Sequence, residues 1–257
     1  MKKTLLLLFI SISFLFGIEQ SFQDGVSAYN SRAENSSYYH LTTQPDQINI
    51  AINAFNIAKQ NPNHEIEASI YLLRCYYYKG KFVSQSDDEK KDIFNLGKVL
   101  GEKLIEQYPE SVAARYWYLV NLGSWSEVYG LFAAAKEGVA DLMKEHSEKI
   151  IEMDPKYSNG GGYFMLGAVH LKSPYIPFVL SWPSNDKAVE NLTNAYETGK
   201  STPSQTVYLA RALYKDRQKD KAIKLLSNLI TQPLSDDEPV EDYEQQAEAK
   251  GFLADWK

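Results

Sequence analysis

Apolar residues recur every three to four positions along most of this chain, which is the spacing of one face of an α-helix. The stretch 47–60, for example, places Ile50, Ala54 and Ala58 on a common helical face. No stretch of the sequence alternates strictly between apolar and polar residues over the length of a strand. The pattern therefore predicts an all-α fold.

Four prolines divide this helical pattern at a nearly constant interval of 46 to 48 residues. They are Pro62, Pro109, Pro155 and Pro203. Each follows one helix-like stretch and precedes another. A period of this length is typical of stacked helical hairpins that bury their apolar faces only against neighbouring hairpins. We therefore expect one α-solenoid of hairpins over residues 20–257.

The last unit shows the repeat most clearly, because Ala210 and Ala222 lie twelve positions apart. Small residues at this spacing let the two helices of a hairpin approach closely, as in a tetratricopeptide repeat. In the preceding unit the corresponding residues, Gly167 and Ala188, lie 21 positions apart. The array is therefore predicted to be tetratricopeptide-like, with an insertion in this hairpin.

The inserted residues form an unusual segment, Ser173–Ser184. It contains three prolines and six large apolar residues, although loops are usually polar. One interpretation is a structural plug that fills the gap between two helices. The other is a lid or partner contact anchored by Trp182, and the sequence does not distinguish the two.

Two identical acidic tetrapeptides, 86–89 and 235–238, begin with serine and end with glutamate. Serine at the N-cap and glutamate three residues later form a capping box. A calcium loop would need a glycine-kinked segment with a distal glutamate, which neither stretch has. Both tetrapeptides are therefore predicted to start helices.

Residues with catalytic or metal-binding chemistry are sparse. Cys75, the only cysteine, lies in an apolar helical stretch and is predicted to be a buried thiol. The four histidines show no zinc-site pairing, and His170 is expected to be buried and hydrogen-bonded. Gly160–Gly162 predicts a tight turn. Because no nucleophile motif is recognisable, we predict no enzymatic activity, no cofactor and no bound metal.

The first residues have the composition of an export signal. A positive start, Met1–Lys3, precedes an apolar run from Leu5 to Phe16, and Gly17 offers a small residue for cleavage. A run of about a dozen apolar residues is too short to span a bilayer. We therefore expect residues 1–19 to be a signal peptide of a periplasmic protein, with an uncleaved membrane anchor as the alternative.

A ligand-binding face is predicted on the first helix of each hairpin, which lines the concave side of tetratricopeptide arrays. Tyr and Arg on that side are suited to anchor a peptide or an organic ligand. Counting from the small residues, and adding the loop tryptophan, assigns eight residues to binding. They are Arg74, Tyr77, Tyr78, Phe164, Leu171, Trp182, Arg211 and Tyr214.

From Tyr108 onward the chain resembles the TatT family, the tetratricopeptide-like periplasmic proteins associated with tripartite ATP-independent (TRAP) transporters. The resemblance lies in Trp117, Trp125, Ile151–Pro155, the glycine turn before Tyr163–Gly167, the proline-rich loop and Asn185–Ala188. It implies an array with a cavity or pore that pairs with an extracytoplasmic solute-binding protein. Mitochondrial regulators of microtubule dynamics share a similar helical pattern, but the predicted signal peptide argues against them.

The resulting expectation is a periplasmic, non-enzymatic adaptor or ligand carrier that serves a TRAP-type transporter. It would bind a protein partner, a small apolar organic ligand or both. The alternatives are a cell-envelope assembly scaffold and an enzyme without a recognisable motif. A net charge of −6 without a long basic run disfavours nucleic acid. Contact with a membrane would be peripheral at most, and the oligomeric state, including a homo-oligomer, stays open.

Overall fold

A computed structural model describes residues 19–256, apart from the side chain of Tyr39. The predicted signal peptide therefore lies almost wholly outside the described residues. Within 19–256 the chain forms helices and two isolated β-bridges but no strand, which confirms the all-α prediction. Contacts divide the chain into two units, unit 1 up to Pro109 and unit 2 from Glu110 onward.

The described part of unit 1 contains four α-helices, a short 3₁₀ turn at Tyr38–His40 and a π-helical turn at Lys79–Val83. The α-helices are α1 (residues 19–30), α2 (Asp46–Ala58), α3 (Glu65–Tyr78) and α4 (Asp87–Gln107). Helix α3 packs against both α2 and α4.

Aromatic rings fill the core of unit 1. Phe55 is fully buried, and its ring stacks on Tyr71 at a centroid distance of 4.7 Å. Phe22 of α1 meets the Phe55 ring edge-on at 5.8 Å. A Cβ added at Gly25 would come within 2.7 Å of the same ring. Glycine is therefore required at this point of α1, because the ring of Phe55 lies directly against its backbone.

The buried face of α2 differs slightly from the predicted one. Ala54 and Ala58 are buried as expected, together with Ile48 and Phe55, whereas Ile50 is 51% exposed. The large residues Ile48 and Phe55 fix the inward direction of the helix, and Ile50 lies outside the face that they share. The prediction of Ile50 as a packing residue is therefore wrong.

The π-helical turn ties the end of α3 to the segment that precedes α2. The backbone N–H of Thr43 donates to the carbonyl oxygen of Phe82 at 2.9 Å. The hydroxyls of Thr43 and Tyr78 share a hydrogen bond of 3.1 Å. Tyr78 and Phe82 are almost completely buried, with 1% and 2% of their surface exposed.

The described part of unit 2 contains eight α-helices. They are α5 (Val112–Tyr129), α6 (Leu131–Lys136), α7 (Val139–Met153), α8 (Gly161–Lys172), α9 (Asn185–Glu197), α10 (Pro203–Lys215), α11 (Lys219–Leu229) and α12 (Pro239–Asp255). Helix α5 pairs with α7, α8 with α9 and α10 with α11, and α12 packs against α10 and α11. Pro109, Pro155 and Pro203 stand before or at the first helix of these hairpins, as their spacing predicts. Among residues 19–256, no helix is both long enough and apolar enough to cross a membrane.

Small residues bring the paired helices of unit 2 together. A Cβ added at Gly167 would lie 2.6 Å from Cγ of Leu192 in α9 and 3.0 Å from its backbone nitrogen. Ala210 and Ala222 are fully buried in the cluster shared by α9–α12, whose buried members are Ala, Val and Leu. The close approach predicted at Gly167 is therefore confirmed, and the burial of Ala210 and Ala222 agrees with the one predicted for the last hairpin.

Local geometry at the helix starts confirms two predictions and corrects one. A tight turn precedes α8 as predicted, with positive φ angles of 50°, 56° and 83° at Ser158, Asn159 and Gly160, but Gly161 and Gly162 already belong to the helix. The capping box at Ser86 is present. Ser235 of the second acidic tetrapeptide is not an N-cap, because α12 begins at Pro239, and proline is pre-organised for the first helical position.

Candidate functional site

The first helices of the hairpins in unit 2, together with α12, present a connected row of side chains that we name the cation–aromatic strip. Its members are Glu127 of α5, Phe164 and Lys172 of α8, Tyr208 and Arg211 of α10, and Glu248 and Phe252 of α12. Contacts between members join α5 to α8, α8 to α10 and α10 to α12, so their spacing is set by helix packing rather than by a flexible loop.

The ring of Tyr208 is the centre of the strip. The Cζ atom of Arg211 lies 5.1 Å from the ring centroid and Nζ of Lys172 lies 5.5 Å from it. Phe164 meets the ring edge-on with a centroid distance of 5.2 Å. Two cations on one aromatic ring are within the range of favourable cation–π attraction, so Tyr208 links α8 to α10 by both apolar and electrostatic contact.

Lys172 ends α8 at one edge of the strip. Its Nζ forms an ion pair with Glu127 and donates to the Tyr208 hydroxyl at 3.2 Å. Burial opposes the charge on Lys172, but Tyr208 and Glu127 outweigh it and raise the pKa of the ammonium above its ordinary value. Lys172 is therefore a fixed cation of this surface.

Arg211 extends the strip toward α12. Its Cζ atom lies 5.2 Å from the Phe252 ring, and Nη1 lies 3.7 Å from a carboxylate oxygen of Glu248. The side chain keeps 27% of its surface exposed. The contact with Glu248 is loose for an ion pair, so the guanidinium retains donors for an incoming group.

An aromatic stack adjoins the strip at the end of α10. Tyr214 and Trp256 stack with a centroid distance of 4.0 Å, and Phe252 stacks on Trp256 at 5.2 Å. Nζ of Lys219 lies 5.0 Å from the Tyr214 ring. These rings are partly buried against the cluster of α9–α12, so they serve both as packing and as exposed surface.

Unit 2 brings together three of the predicted binding residues. Phe164 and Arg211 belong to the strip, and Tyr214 lies in the adjoining stack. Leu171 instead packs against the apolar cluster of α9–α12. Trp182 lies apart, at the base of the 173–184 loop.

Trp182 fastens the loop to α7 and α8. Its Nε1 donates to a carboxylate oxygen of Asp141 at 2.8 Å, and its ring meets His170 edge-on at 5.0 Å. The backbone N–H of Ser184 donates to Nδ1 of His170, which is buried and hydrogen-bonded as predicted. Trp182 therefore acts as an anchor, whereas the tip of the loop at Phe178 is fully exposed.

The three binding residues predicted in unit 1 divide between surface and core. Arg74 lies over the Tyr71 ring at 5.0 Å, and Tyr77 lies beside Lys81 with its ring 6.0 Å from the ammonium. Both are partly exposed. Tyr78 is buried and hydrogen-bonded. Its assignment to a binding face is therefore wrong, because Tyr78 lies on the face of α3 that also buries Leu72 and Cys75.

Sequence reasoning missed five members of the strip. They carry no motif, and only the packing of α5, α8, α10 and α12 places them side by side: Glu127, Lys172, Tyr208, Glu248 and Phe252. The arrangement offers ring faces and two partly exposed cations to a ligand. Within residues 19–256, no group of three or more His, Cys, Asp or Glu side chains is placed to hold a metal ion.

The fold has a counterpart among solved structures. A thermophilic TPR protein from Thermus thermophilus superposes with a TM-score of 0.57 at 15% sequence identity, and the match covers 93% of this chain and 98% of that chain. At this identity the likeness shows the fold alone. The predicted tetratricopeptide-like solenoid is thereby confirmed.

Sequence relatives point to one family. Residues 36–172, just over half of the chain, match the model of the family described as regulator of microtubule dynamics protein 1-3. Regulator of microtubule dynamics protein 2 of Homo sapiens is 27% identical over 93% of this chain, and protein 1 of Bos taurus is 23% identical over 77%. The chain spans 61% and 54% of the length of these two relatives.

These matches overturn the resemblance drawn from the sequence pattern. The TatT assignment is wrong, and so are the conclusions that depended on it: a periplasmic location, a carrier or scaffold role in the cell envelope, and a transporter's solute-binding protein as partner. Shared helical spacing and glycine turns are common to unrelated arrays and did not separate the two families. The chain belongs to the family of regulators of microtubule dynamics proteins 1–3.

Proposed function

We propose that this chain is a protein-binding module without catalytic activity, and that it acts on microtubule dynamics by holding a segment of a partner on the cation–aromatic strip. The observation that carries the proposal is the strip itself, in which Lys172, Tyr208 and Arg211 form one connected and partly exposed surface. Tyr and Arg are the side chains most often responsible for binding energy in protein interfaces. The proposed process, microtubule dynamics, comes from the names of the family members.

The charges of the strip favour an acidic segment as the ligand. Lys172 and Arg211 face Glu127 and Glu248, which lie at the two edges of the strip. A carboxylate of a bound segment can replace the loose Glu248 contact at Arg211, while an adjacent side chain covers the ring of Tyr208. Partners rich in aromatic or aliphatic residues without acids would leave the two cations unused.

The state of Lys172 supports a binding role over a catalytic one. Catalytic lysines act as bases or nucleophiles after their pKa has been lowered. The pKa of Lys172 is instead raised, since Tyr208 and Glu127 outweigh the effect of burial. The ammonium therefore stays charged at neutral pH, as a fixed binding group requires.

Microtubule co-sedimentation and the growth rate of single microtubules test the proposal. Arg211→Gln removes the guanidinium that joins Tyr208 to Phe252, and we expect it to weaken binding about tenfold or more. Lys224→Gln is the matched control, because it removes the same charge from an exposed position on α11 outside the strip.

Two results would contradict the proposed function. One is a wild-type chain that neither binds microtubules nor changes their growth. The other is an Arg211→Gln variant that binds as tightly as Lys224→Gln, which would leave the strip without a role.

A further inference from the structure

Unit 2 carries two apolar projections that its own core does not cover. The first is the tip of the 173–184 loop, where Phe178 is fully exposed and Val179 is 78% exposed. The second is the start of α6, where Leu131 is 64% and Phe132 is 96% exposed. Large apolar side chains that protrude together usually mark an interaction surface.

Both projections lie at the same end of the helices of unit 2. The end of α5 meets the end of α8, where Glu127 forms its ion pair with Lys172. The loop starts at the end of α8, and its base returns to the start of α7 through the hydrogen bond from Trp182 to Asp141. Helix α6 lies between α5 and α7 in the chain and therefore occupies this end as well.

Three backbone N–H groups of the loop tip are hydrogen-bonded within the tip itself. The N–H of Ile176 donates to the carbonyl of Leu180 at 2.8 Å, and the N–H groups of Leu180 and Val179 donate to the carbonyl of Ile176 at 2.8 and 3.1 Å. Pro177 has no N–H to satisfy. The hydrocarbon core requires every backbone polar group to be satisfied internally, so a turn of this kind suits shallow insertion at the bilayer interface. A segment that pairs with a partner strand would instead keep its donors open.

Side-chain polarity is graded from the base of the loop to its tip. At the base, Trp182 is hydrogen-bonded through its indole N–H and has Lys144 at 5.7 Å from its ring. Tyr175 follows outside the paired segment, and Phe178 and Val179 form the tip. In a bilayer, Trp and Tyr favour the headgroup level, and apolar side chains favour the hydrocarbon below it. The loop has the same order.

We propose that the two projections form a membrane-docking surface, which inserts Phe178, Val179, Leu131 and Phe132 into one leaflet of a lipid bilayer. A bilayer surrounds a convex side chain on all sides, which suits rings that are almost completely exposed. Protein partners bind such rings in pockets, with flanking contacts that exclude water. The inference goes beyond the proposed function, because the surface lies outside the cation–aromatic strip.

The charges around the two projections nearly cancel. Lys172 is paired with Glu127, and Lys144 with Glu148. Lys136 at the end of α6 is followed directly by Glu137. Docking is therefore expected to rest on apolar insertion and to depend little on anionic lipid.

Flotation with vesicles of phosphatidylcholine tests the surface directly in chains without residues 1–18, because the apolar run Leu5–Phe16 would bind lipid by itself. We expect the wild-type chain to float with the vesicles, and Phe132→Ser and Phe178→Ser each to lower partitioning about tenfold, since each removes one inserted ring. The double variant combines both losses. Ile50→Ser with Leu96→Ser is the matched control, because it removes two half-exposed apolar side chains from unit 1 and is expected to float normally.

A fluorophore attached at Phe178→Cys gives a second readout. Cys75 is buried, and burial raises the pKa of its thiol, so the label attaches at position 178. Vesicles are expected to shift the emission of this label to shorter wavelength and to leave a label at Lys224→Cys unchanged.

Three results would overturn the proposal. The first is a wild-type chain that does not float at saturating lipid, and the second is a double variant that floats as well as wild type. The third is binding that requires phosphatidylserine and persists in the double variant.

Light scattering measures whether the chain dimerises through the same surface. A dimer that the double variant abolishes, without vesicle binding by wild type, would assign the surface to a second copy of the chain.

Discussion

The rings of Phe55 and Phe82 in unit 1 are almost completely buried, whereas those of Phe132 and Phe178 in unit 2 are almost completely exposed. The contrast extends to the core of unit 1 and the α9–α12 cluster of unit 2. Stacked and edge-on rings fill the core of unit 1. The buried cluster of α9–α12 consists of Ala, Val and Leu, and the aromatic rings around it are only partly buried.

The side chains opposite the glycines give a physical reason for this difference. In unit 1, rings lie against glycine, with Phe55 at Gly25 and Phe94 at Gly80. In the α8–α9 hairpin, the glycine at position 167 faces Leu192, and the two helices approach too closely for a ring. Glycine thus makes room for a ring in the core of unit 1, and in the α8–α9 hairpin it lets two helices approach too closely for one. The rings around the α9–α12 cluster are only partly buried, so part of their surface is available to ligands.

The largest expected effect comes from exchanging a ring for a methyl group in each unit. Phe55→Ala should lower the free energy of unfolding by about 3–5 kcal/mol, because a fully buried ring leaves a cavity. Phe178→Ala should change it by less than about 0.5 kcal/mol. Urea denaturation followed by circular dichroism measures both. Similar losses for the two variants would mean that the contrast between the units is wrong.

A smaller effect is expected where helices approach through glycine. Gly167→Ala places a Cβ against Leu192 at 2.6 Å and should cost about 1–3 kcal/mol through overpacking. Gly251→Ala in α12 is the control. It has no atom within 4 Å of the new Cβ and should gain up to about 1 kcal/mol from helix propensity. A neutral Gly167→Ala variant in thermal unfolding would show that α8 and α9 are free to separate.

The smallest effect is a pH dependence that belongs to unit 2. Burial, and then the nearby ammonium groups of Lys144 and Lys187, lower the pKa of His170 below its ordinary value of 6.5, against a weaker opposing effect of glutamates on α7 and α9. The unfolded chain therefore binds a proton that the folded chain does not. The contribution of neutral His170 to the free energy of unfolding is fully present above about pH 6.5. It is lost as the pH falls toward the lower pKa of His170 in the folded chain.

Melting temperatures between pH 7.5 and 5 measure this loss. His170→Gln should reduce the decrease, because glutamine keeps an acceptor and does not titrate, while His146, whose pKa is lowered by burial and by Arg115, retains its own share. His40→Gln, at an exposed position in unit 1, should keep the wild-type decrease. If the melting temperature of His170→Gln fell with pH as much as that of wild type, His170 of unit 2 would not be the source of the pH dependence.

The sequence was sufficient to predict the helices, their pairing and the points of close approach. Pro155 and Pro203 punctuate the chain at the hairpin boundaries, and Ala210 and Ala222 mark a contact that only small side chains allow. These features depend on local spacing and residue volume, which a sequence displays directly. The start of α12 was placed too early in the chain, because Pro239 outweighed the serine cap predicted upstream of it.

The candidate site was predicted only in part. Phe164 and Arg211 were found because the first helix of each hairpin was identified correctly. Tyr208 and Phe252 were not, since their roles arise from contacts between helices that are distant in sequence. The apolar loop was recognised as unusual, but composition alone does not reveal that Trp182 packs inward while Phe178 points outward.

The π-helical turn at Lys79–Val83 has a consequence for how this chain tolerates changes in length. A π turn accommodates one residue more than an α turn does, so removing Lys81 would restore α-helical hydrogen bonding at that point. The deletion would shorten the connection that places Phe82 in the core and its carbonyl opposite the N–H of Thr43. Single-residue insertions and deletions in this segment should therefore be far less tolerated than substitutions of its exposed side chains.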